Sequence, residues 1–307
     1  MKLLITGGAG FIGSNLARLA QDQDHEVVII DDLSTGYRDN LDGLDVDLRE
    51  ASILDASALA SALAGVDSVV HLAALGSVPR SIADPMATHH ANATGTLAVL
   101  QGCHDAGVEH VVVASSSSVY GANPARPKHE REWVRPLSPY AVSKLATEQY
   151  ALAFQQSFGL STLAFRFFNV YGPGQRAGHA YAAVIPIFID KALRGEPLPI
   201  NGDGLTSRDF TFVGAVCETL LEATGRKVRH PEPVNLAFGT NTSLNELVEE
   251  LSALLGHPLD VEHHPARPGD VLHSEADSTS LEALFPDIRP TPLRSGLSRT
   301  LEWFQER

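Results

Sequence analysis

The first half of the chain alternates short apolar runs with longer segments of helical periodicity. Buried strands are predicted where the runs are short, rich in β-branched residues and bounded by turn residues. These strands are Lys2–Thr6, 27–30, Ser68–His71, 110–114 and Ser161–Phe167. The helices predicted between and after them are Phe11–Asp22, 56–64, 88–106 and Pro139–Phe158. Such alternation predicts an α/β fold, a doubly wound parallel sheet with right-handed crossovers.

The pattern changes after about residue 170. Glycine and proline become frequent, and short strands and helices mix without strict alternation. We therefore expect a sheet domain over residues 1–170, to which later segments return, and a smaller α+β region over 171–307 that holds the substrate. The acidic run at residues 39–50 is expected to be a solvated loop.

A glycine-rich loop separates the first predicted strand from the first helix. Residues 6–13 read TGGAGFIG, which contains the pattern G-x-G-x-x-G. The glycines permit a tight turn and a close approach to pyrophosphate, and the helix N-terminus offers free N–H groups. Asp31 follows about 20 residues later, where a carboxylate accepts from a ribose 2′-OH and repels a 2′-phosphate. The arrangement favours NAD over NADP; the alternative is a turn with only a structural role.

A tyrosine and a lysine share one face of a predicted helix. Tyr140 and Lys144 stand at i and i+4, just after Ser138, a favourable N-cap. An ammonium, like an oxidised nicotinamide, lowers the pKa of a nearby phenol, so the pair predicts a general acid/base for a hydroxyl or carbonyl. A solvated pair of neighbours is the alternative. Residues 115–118 are all serine and end a predicted strand, where one hydroxyl could bind the same substrate oxygen.

Composition excludes several classes of protein. Of the 307 residues, 44% are hydrophobic and 20% are charged, which is typical of a globular protein. No apolar run approaches the roughly 18 residues of a membrane span, and the apolar start is too short for a signal peptide. The net charge of −14 disfavours nucleic acid and anionic membranes. Two distant cysteines favour the cytoplasm, and the histidine pairs lack the spacing of metal ligands, so we expect no metal.

Six motifs, taken together, carry a resemblance to a known family. They are TGGAGFIG at 6–13, HLAA at 71–74, N-x-x-G-T at 92–96, SSSSVYG at 115–121, YAVSK at 140–144 and RFFNVYGPGQ at 166–175. The chain resembles the extended short-chain dehydrogenase/reductase superfamily over essentially its whole length, in the NAD-dependent epimerase/dehydratase branch. The resemblance implies a Rossmann NAD domain, a nucleotide-sugar region, and a homodimer formed through helices around residues 92–106 and 140–158.

The resemblance also implies roles for individual residues. The implied catalytic residues are Ser116, Tyr140 and Lys144. The implied NAD-binding residues are Gly7, Gly10, Phe11, Ile12, Gly13, Asp31, Asp32, Ser52, Ile53, Leu72, Ala73, Ala74, Asn92, Tyr140, Lys144 and Phe167. Ser52 stands where many relatives carry an adenine-binding aspartate, and Asp45 or Asp47 are alternatives for that contact.

Within the family, the chain resembles the 4-epimerases. Similar dehydratases carry Asp-Glu where this chain has Ser117 and Ser118, and the decarboxylases carry Glu at the second position. Residues 74–81, 180–186 and 200–204 resemble the UDP-N-acetylglucosamine 4-epimerases more than the galactose enzymes. The implied reaction is oxidation at the sugar C4, rotation of the 4-keto sugar, and return of the hydride to its other face.

The implied substrate is a UDP-sugar. Its expected binding residues are Gly76, Ser115, Ser117, Asn169, Ala183, Arg208, Arg267 and Ser274. Four of them are small and would leave room for a 2-acetamido group, whereas Asn169 and the two arginines would bind the diphosphate. UDP-GlcNAc and UDP-GalNAc are the expected pair, with UDP-Glc and UDP-Gal also accepted. The alternatives are a UDP-glucuronate 4-epimerase, a nucleotide-sugar reductase, or a non-enzymatic NAD sensor.

Overall fold

The structure is a computed structural model that describes residues 1–178, 182–265 and 273–306. The strands in these residues are β1 Lys2–Thr6, β2 Glu26–Asp31, β3 Asp47–Glu50, β4 Ser68–His71, β5 His110–Ser116, β6 Ser161–Phe167, β7 Asn169–Tyr171, β8 Leu198–Asn201, β9 Ser207–Arg208, β10 Phe210–Phe212, β11 Val234–Leu236, β12 Thr242–Ser243, β13 Val261–His264 and β14 His273–Ser274. The α-helices are α1 Phe11–Asp22, α2 Ala56–Ala62, α3 Val78–Ala83, α4 Pro85–His89, α5 Gly95–Ala106, α6 Pro139–Phe158, α7 Val184–Leu193, α8 Val213–Gly225, α9 Leu244–Leu255, α10 Thr279–Leu284 and α11 Leu293–Gln305.

A parallel sheet forms the centre of the molecule, with the strand order β11-β6-β5-β4-β1-β2-β3. Side chains alternate between its two faces. Leu3 and Ile5 of β1 belong to a core that includes Leu16 of α1 and Leu220 of α8. Leu4 belongs to the opposite core, with residues of α2, α5 and α6. Helices thus cover both faces, and the predicted doubly wound sheet is confirmed.

The second half of the chain builds on the carboxyl ends of these strands. Its short strands pair as β10-β7, β12-β9-β14 and β13-β8 and are mixed with helices. β11 returns to the large sheet and pairs in parallel with β6. The expected smaller α+β region is therefore present, and it stands beside the sheet edge where ligands bind in open α/β folds.

Two predicted elements differ from the structure. The expected loop at residues 39–50 contains part of a 3₁₀ helix, Arg38–Leu41, and all of β3. β3 is the edge strand beside β2, where polar side chains can face water, so it lacks the apolar pattern used to predict strands. The helix predicted over 88–106 begins earlier, as α4, and contains a π-helical turn at His90–Thr94 before α5.

Among the described residues, no helix combines the length and the hydropathy that crossing a membrane requires. The cysteines lie on different helices, Cys103 on α5 and Cys217 on α8. Both are buried free thiols, and burial raises the pKa of each.

Candidate active site

A cavity of about 660 Å³ opens at the carboxyl ends of the central strands. Residues from the ends of β1, β2, β4, β5 and β6 line it, together with the start of α6. Most of the expected site residues line this cavity. They are Gly7, Gly10, Phe11, Ile12, Gly13, Asp31, Asp32, Ser52, Ile53, Leu72, Ala73, Ala74, Gly76, Ser115, Ser116, Tyr140, Lys144 and Phe167.

The glycine-rich loop packs tightly against the end of β4. Gly7 has φ of 72°, and a Cβ there would lie 2.7 Å from the Ala73 nitrogen. A Cβ on Gly13 would overlap the Gly7 carbonyl. Gly10 is the N-cap of α1 and offers no side chain to the first-turn amides. These amides have no acceptor within the helix and are available to a phosphate.

Asp31 connects the end of β2 to this loop. Its carboxylate accepts hydrogen bonds from the amides of Ala9 and Leu33, both at 2.9 Å. Burial raises the pKa of Asp31, which the two amide hydrogen bonds oppose. The buried carboxylate lines the cavity at the end of β2, the strand next to β1, and β1 leads into the phosphate-binding turn. A carboxylate at this place can accept a hydrogen bond from a ribose hydroxyl.

Tyr140 and Lys144 stand in the first turns of α6 because the helix is capped just before them. Ser138 is the N-cap, and its Oγ accepts from the Ala141 amide at 3.1 Å. The Lys144 ammonium donates to the Ala114 carbonyl at 2.8 Å. Burial lowers the pKa of Lys144 to about 8.

The Tyr140 hydroxyl is subject to two opposing effects. Burial raises its pKa, and a hydrogen bond with Ser116 opposes this rise. A lowering of this pKa by Lys144 and by a bound oxidised nicotinamide stays a prediction.

A buried hydrogen-bond chain holds the ends of β1 and β4 together. The Ala73 amide donates to Thr6 Oγ1 at 3.2 Å, and Thr6 Oγ1 bonds His71 Nδ1 at 2.7 Å. His71 Nε2 lies 3.0 Å from Thr96 Oγ1 on α5. Burial, and then the charge of Lys144, lowers the pKa of His71 to about 3, so the ring is neutral at pH 7.

Two expected contact residues have their side-chain polar atoms engaged within the protein. The Ser115 hydroxyl donates to the Lys144 carbonyl at 3.1 Å and to Glu148 Oε2 at 2.9 Å, fastening α6 to β5. Asn92 does not line the cavity. It accepts from the Leu75 amide at 2.7 Å and donates to Ser143 Oγ at 2.9 Å, joining the loop after β4 to α6.

The remaining expected substrate residues stand outside the cavity lining. Asn169 Nδ2 donates to the Asp209 carbonyl at 3.3 Å. Arg208 of β9 and Ser274 of β14 are opposite each other in the register of these two parallel strands. Ala183 is the N-cap of α7, and Ser117 begins a 3₁₀ helix after β5. The structure brings Asn169, Arg208 and Ser274 onto neighbouring short strands. Arg267 lies outside the described residues.

Comparison with known proteins decides the family. The model described as the NAD dependent epimerase/dehydratase family matches residues 3–237. The chain belongs to this family.

Relatives of the epimerase/dehydratase family match along their full lengths. A UDP-glucose 4-epimerase of Mycolicibacterium smegmatis is 36% identical over 314 residues, covering 100% of this chain and 99% of that protein. A UDP-N-acetylglucosamine 4-epimerase from Methanobrevibacter ruminantium M1, solved with UDP-N-acetylmuramic acid, superposes with a TM-score of 0.94 at 37% identity, covering 99% and 98% of the two chains. MoeE5, solved with UDP-glucuronic acid and NAD, has a TM-score of 0.88 at 36% identity, covering 100% and 99%.

These matches confirm the family that the sequence motifs predicted. The protein is an NAD-dependent enzyme of the epimerase/dehydratase family, and the expected isomerase class is confirmed. NAD as the cofactor is also confirmed. The cavity fits it, because an uncapped helix start and a buried acid at the end of β2 meet in one continuous space with Tyr140.

Some of the residues that line the cavity were missed in the sequence analysis. Ser34, Thr35 and Gly36 follow Asp32 after one intervening residue, and Ala87, His90 and Ala91 stand at i, i+3 and i+4 on the helical segment before α5. The helical spacing was a usable signal for the second set. Ser52 and Ile53 line the cavity as expected, whereas Asp47 forms an ion pair with Arg49. No group of three or more potential metal ligands occurs in the described part of the chain.

Proposed function

We propose that the protein is a UDP-hexose 4-epimerase that interconverts UDP-GlcNAc and UDP-GalNAc and also accepts UDP-Glc and UDP-Gal. The observation that carries this proposal is that Ser116, Tyr140 and Lys144 line the same cavity as the glycine-rich turn. A hydroxyl-binding acid/base beside a nicotinamide site suits oxidation of a secondary alcohol.

The protein's own residues would manage the proton of the sugar 4-hydroxyl. Tyr140 removes this proton and later returns it, while Ser116 donates a hydrogen bond at the same oxygen. NAD, when bound, would supply reversible hydride acceptance for the sugar C4. Lys144, held at the Ala114 carbonyl, keeps a positive charge near the site at neutral pH because its pKa is about 8.

Room beside the sugar supports an acetamido substrate. Gly76 lines the cavity, and a Cβ added to it would meet no atom within 4 Å. Ala183 and Ser274 stand outside the cavity lining but would add little bulk if the bound sugar reached them, and Asn169, Arg208 and Arg267 would bind the diphosphate. Bidentate arginine contacts suit phosphate oxygens.

A UDP-glucuronate 4-epimerase is the second candidate, because MoeE5 was solved with UDP-glucuronic acid and shares 36% identity with this chain. A UDP-glucuronate assay separates it from the first proposal. A nucleotide-sugar reductase would consume added NADH in proportion to product, whereas an epimerase would not.

We also propose a cytoplasmic homodimer. Apolar side chains are exposed on α5 and α6, including Leu97, Val142, Tyr150 and Phe158, and a second copy could cover them. Light scattering at micromolar concentration would measure the mass.

The Tyr140→Phe variant tests the proposed reaction. Removal of the phenolic hydroxyl should lower the rate of UDP-GlcNAc/UDP-GalNAc interconversion at least about a hundredfold, since no other group takes the 4-OH proton. NMR of the anomeric protons measures the rate. Tyr150→Phe removes a hydroxyl from the same helix at a residue that does not line the cavity, and should leave the rate unchanged. Wild-type activity in Tyr140→Phe would refute the proposed acid/base.

A further inference from the structure

A loop beside the cofactor cavity is tied to the start of α1. Residues 172–176 follow β7, and Asn15 Nδ2 donates to the Pro173 carbonyl at 2.8 Å. Gly174 packs beside them, since a Cβ there would lie 3.4 Å from Asn15 Nδ2 and 3.6 Å from Phe11 Cδ2. Phe11 and Gln175 both line the cavity. The loop therefore lies against the helix start where a pyrophosphate binds.

Arg176 extends from this loop to a second loop, residues 34–41. Its guanidinium carbon lies 3.8 Å from the centre of the Tyr37 ring. Arg176 Nη2 donates to both carboxylate oxygens of Asp39, at 2.6 and 2.7 Å. Ring stacking and charge pairing thus act together on one side chain. We call Arg176, Tyr37 and Asp39 the loop bridge.

The second loop is anchored to the glycine-rich turn. The Tyr37 amide donates to the Ala9 carbonyl at 3.0 Å, and Asn40 Nδ2 donates to the same oxygen at 2.9 Å. The Ala9 amide in turn donates to Asp31. Residues 34–36 of this loop line the cavity beside Asp31. The loop bridge therefore joins two walls of the cofactor cavity across the phosphate-binding turn.

Polar atoms on the first wall are buried without a protein partner. Among the described residues, Gln175 Oε1 and Arg176 Nε accept or donate no hydrogen bond. Burial of such atoms costs free energy unless a ligand or a water satisfies them. Gln175 itself lines the cavity, and Arg176 is the next residue. These unsatisfied polar atoms therefore lie beside the cofactor site.

We propose that the loop bridge retains NAD between turnovers, and that it must open for the dinucleotide to leave. This inference rests on the proposed function, because retention of NAD is useful to an enzyme that regenerates NAD in each cycle. An epimerase recovers its oxidised cofactor in every cycle, so release of NAD only interrupts the reaction. Arg176 is a positioning residue in this scheme, because it acts on the two loops and contacts no reacting atom.

Release of NAD from the purified holoenzyme tests the loop bridge. The protein is diluted into excess alcohol dehydrogenase and ethanol, which reduce released NAD, and NADH fluorescence gives the release rate. Arg176→Ala should release NAD about tenfold faster than wild type, since it loses both stacking and pairing. Arg176→Lys should fall between them, because lysine keeps the charge without the planar group.

Arg131→Ala is the matched control, because Arg131 also forms an exposed ion pair, with Glu232. Its release rate should equal that of wild type. At saturating NAD, Arg176→Ala should recover wild-type kcat, which a defect in the chemistry would not allow. Unchanged release in Arg176→Ala, equal acceleration in Arg131→Ala, or a wild type that loses NAD during gel filtration would each overturn the proposal. If release accelerates while wild type interconverts no UDP-sugar, the loop bridge stands and the proposed function fails.

Discussion

At the scale of single residues, the hydrogen bond between Ser116 and Tyr140 acts on the pKa of the proposed acid/base. Burial raises the pKa of Tyr140, and this hydrogen bond lowers it. A tyrosine acts as a base only after it loses its proton, so in the proposed reaction the charge state of Tyr140 limits the rate at low pH. The serine next to it on β5, Ser115, instead fastens Glu148.

The Ser116→Ala variant should therefore shift the pH profile as well as the rate. Loss of the hydrogen bond raises the pKa of Tyr140 further, so the rising limb of kcat moves to higher pH, and kcat at pH 7 falls about ten- to a hundredfold. Steady-state rates from pH 6 to 10 measure both effects. Ser118→Ala, two residues away, should keep the wild-type profile, and a Ser116→Ala limb at the wild-type pH would contradict the argument.

At the scale of elements, the cap of α6 determines where Tyr140 and Lys144, the proposed catalytic side chains, stand. Ser138 accepts from the Ala141 amide, and Tyr140 lies between these two residues. The N-cap therefore fixes the helical turn that carries the proposed acid/base. Serine and threonine can both make this hydrogen bond, whereas alanine cannot.

Ser138→Ala should lower the free energy of unfolding by about 1 kcal/mol. Urea denaturation followed by circular dichroism measures the change. Ser138→Thr keeps the hydroxyl and should stay within a few tenths of a kcal/mol of wild type. Equal losses in the two variants would show that bulk at this position, rather than the cap, is responsible.

Most strands of the large sheet and the helices that cover it could be predicted from the sequence, because their burial gives them a strong apolar pattern. β3 has no such pattern because it is a polar edge strand, and the π-helical turn at His90–Thr94 changes hydrogen bonding without changing hydrophobic spacing. In the candidate site, motifs at strand ends identified the cavity. They could not show that the hydroxyl of Ser115 bonds Glu148, or that Arg176 reaches Tyr37, because such contacts join distant parts of the chain.

At the scale of the whole molecule, a buried ion pair connects α6 to the sheet. Arg166 of β6 donates to both oxygens of Glu148 on α6, at 3.0 and 2.8 Å. Their side chains are only 4% and 0% exposed. The Arg166 guanidinium also lies 4.7 Å from the centre of the Tyr120 ring. Removal of one charge leaves the other buried without its partner.

Arg166→Met should lower the free energy of unfolding by about 3–5 kcal/mol. The double variant Glu148→Gln/Arg166→Met removes both charges and should recover part of this loss. Arg131→Met, at an exposed ion pair, should cost less than about 1 kcal/mol. Urea midpoints measure all three, and a double variant less stable than Arg166→Met would contradict the role assigned to the buried charge.

Both native thiols are shielded, which makes the molecule convenient for site-specific labelling. The sequence contains two cysteines, and neither Cys103 nor Cys217 is accessible. Because burial also raises their pKa, neither side chain supplies the thiolate that reacts with maleimides. A cysteine introduced on the surface near residue 178 would thus carry a dye alone. Its emission would report the proposed opening of the loop bridge in real time, without replacement of any residue that lines the cavity.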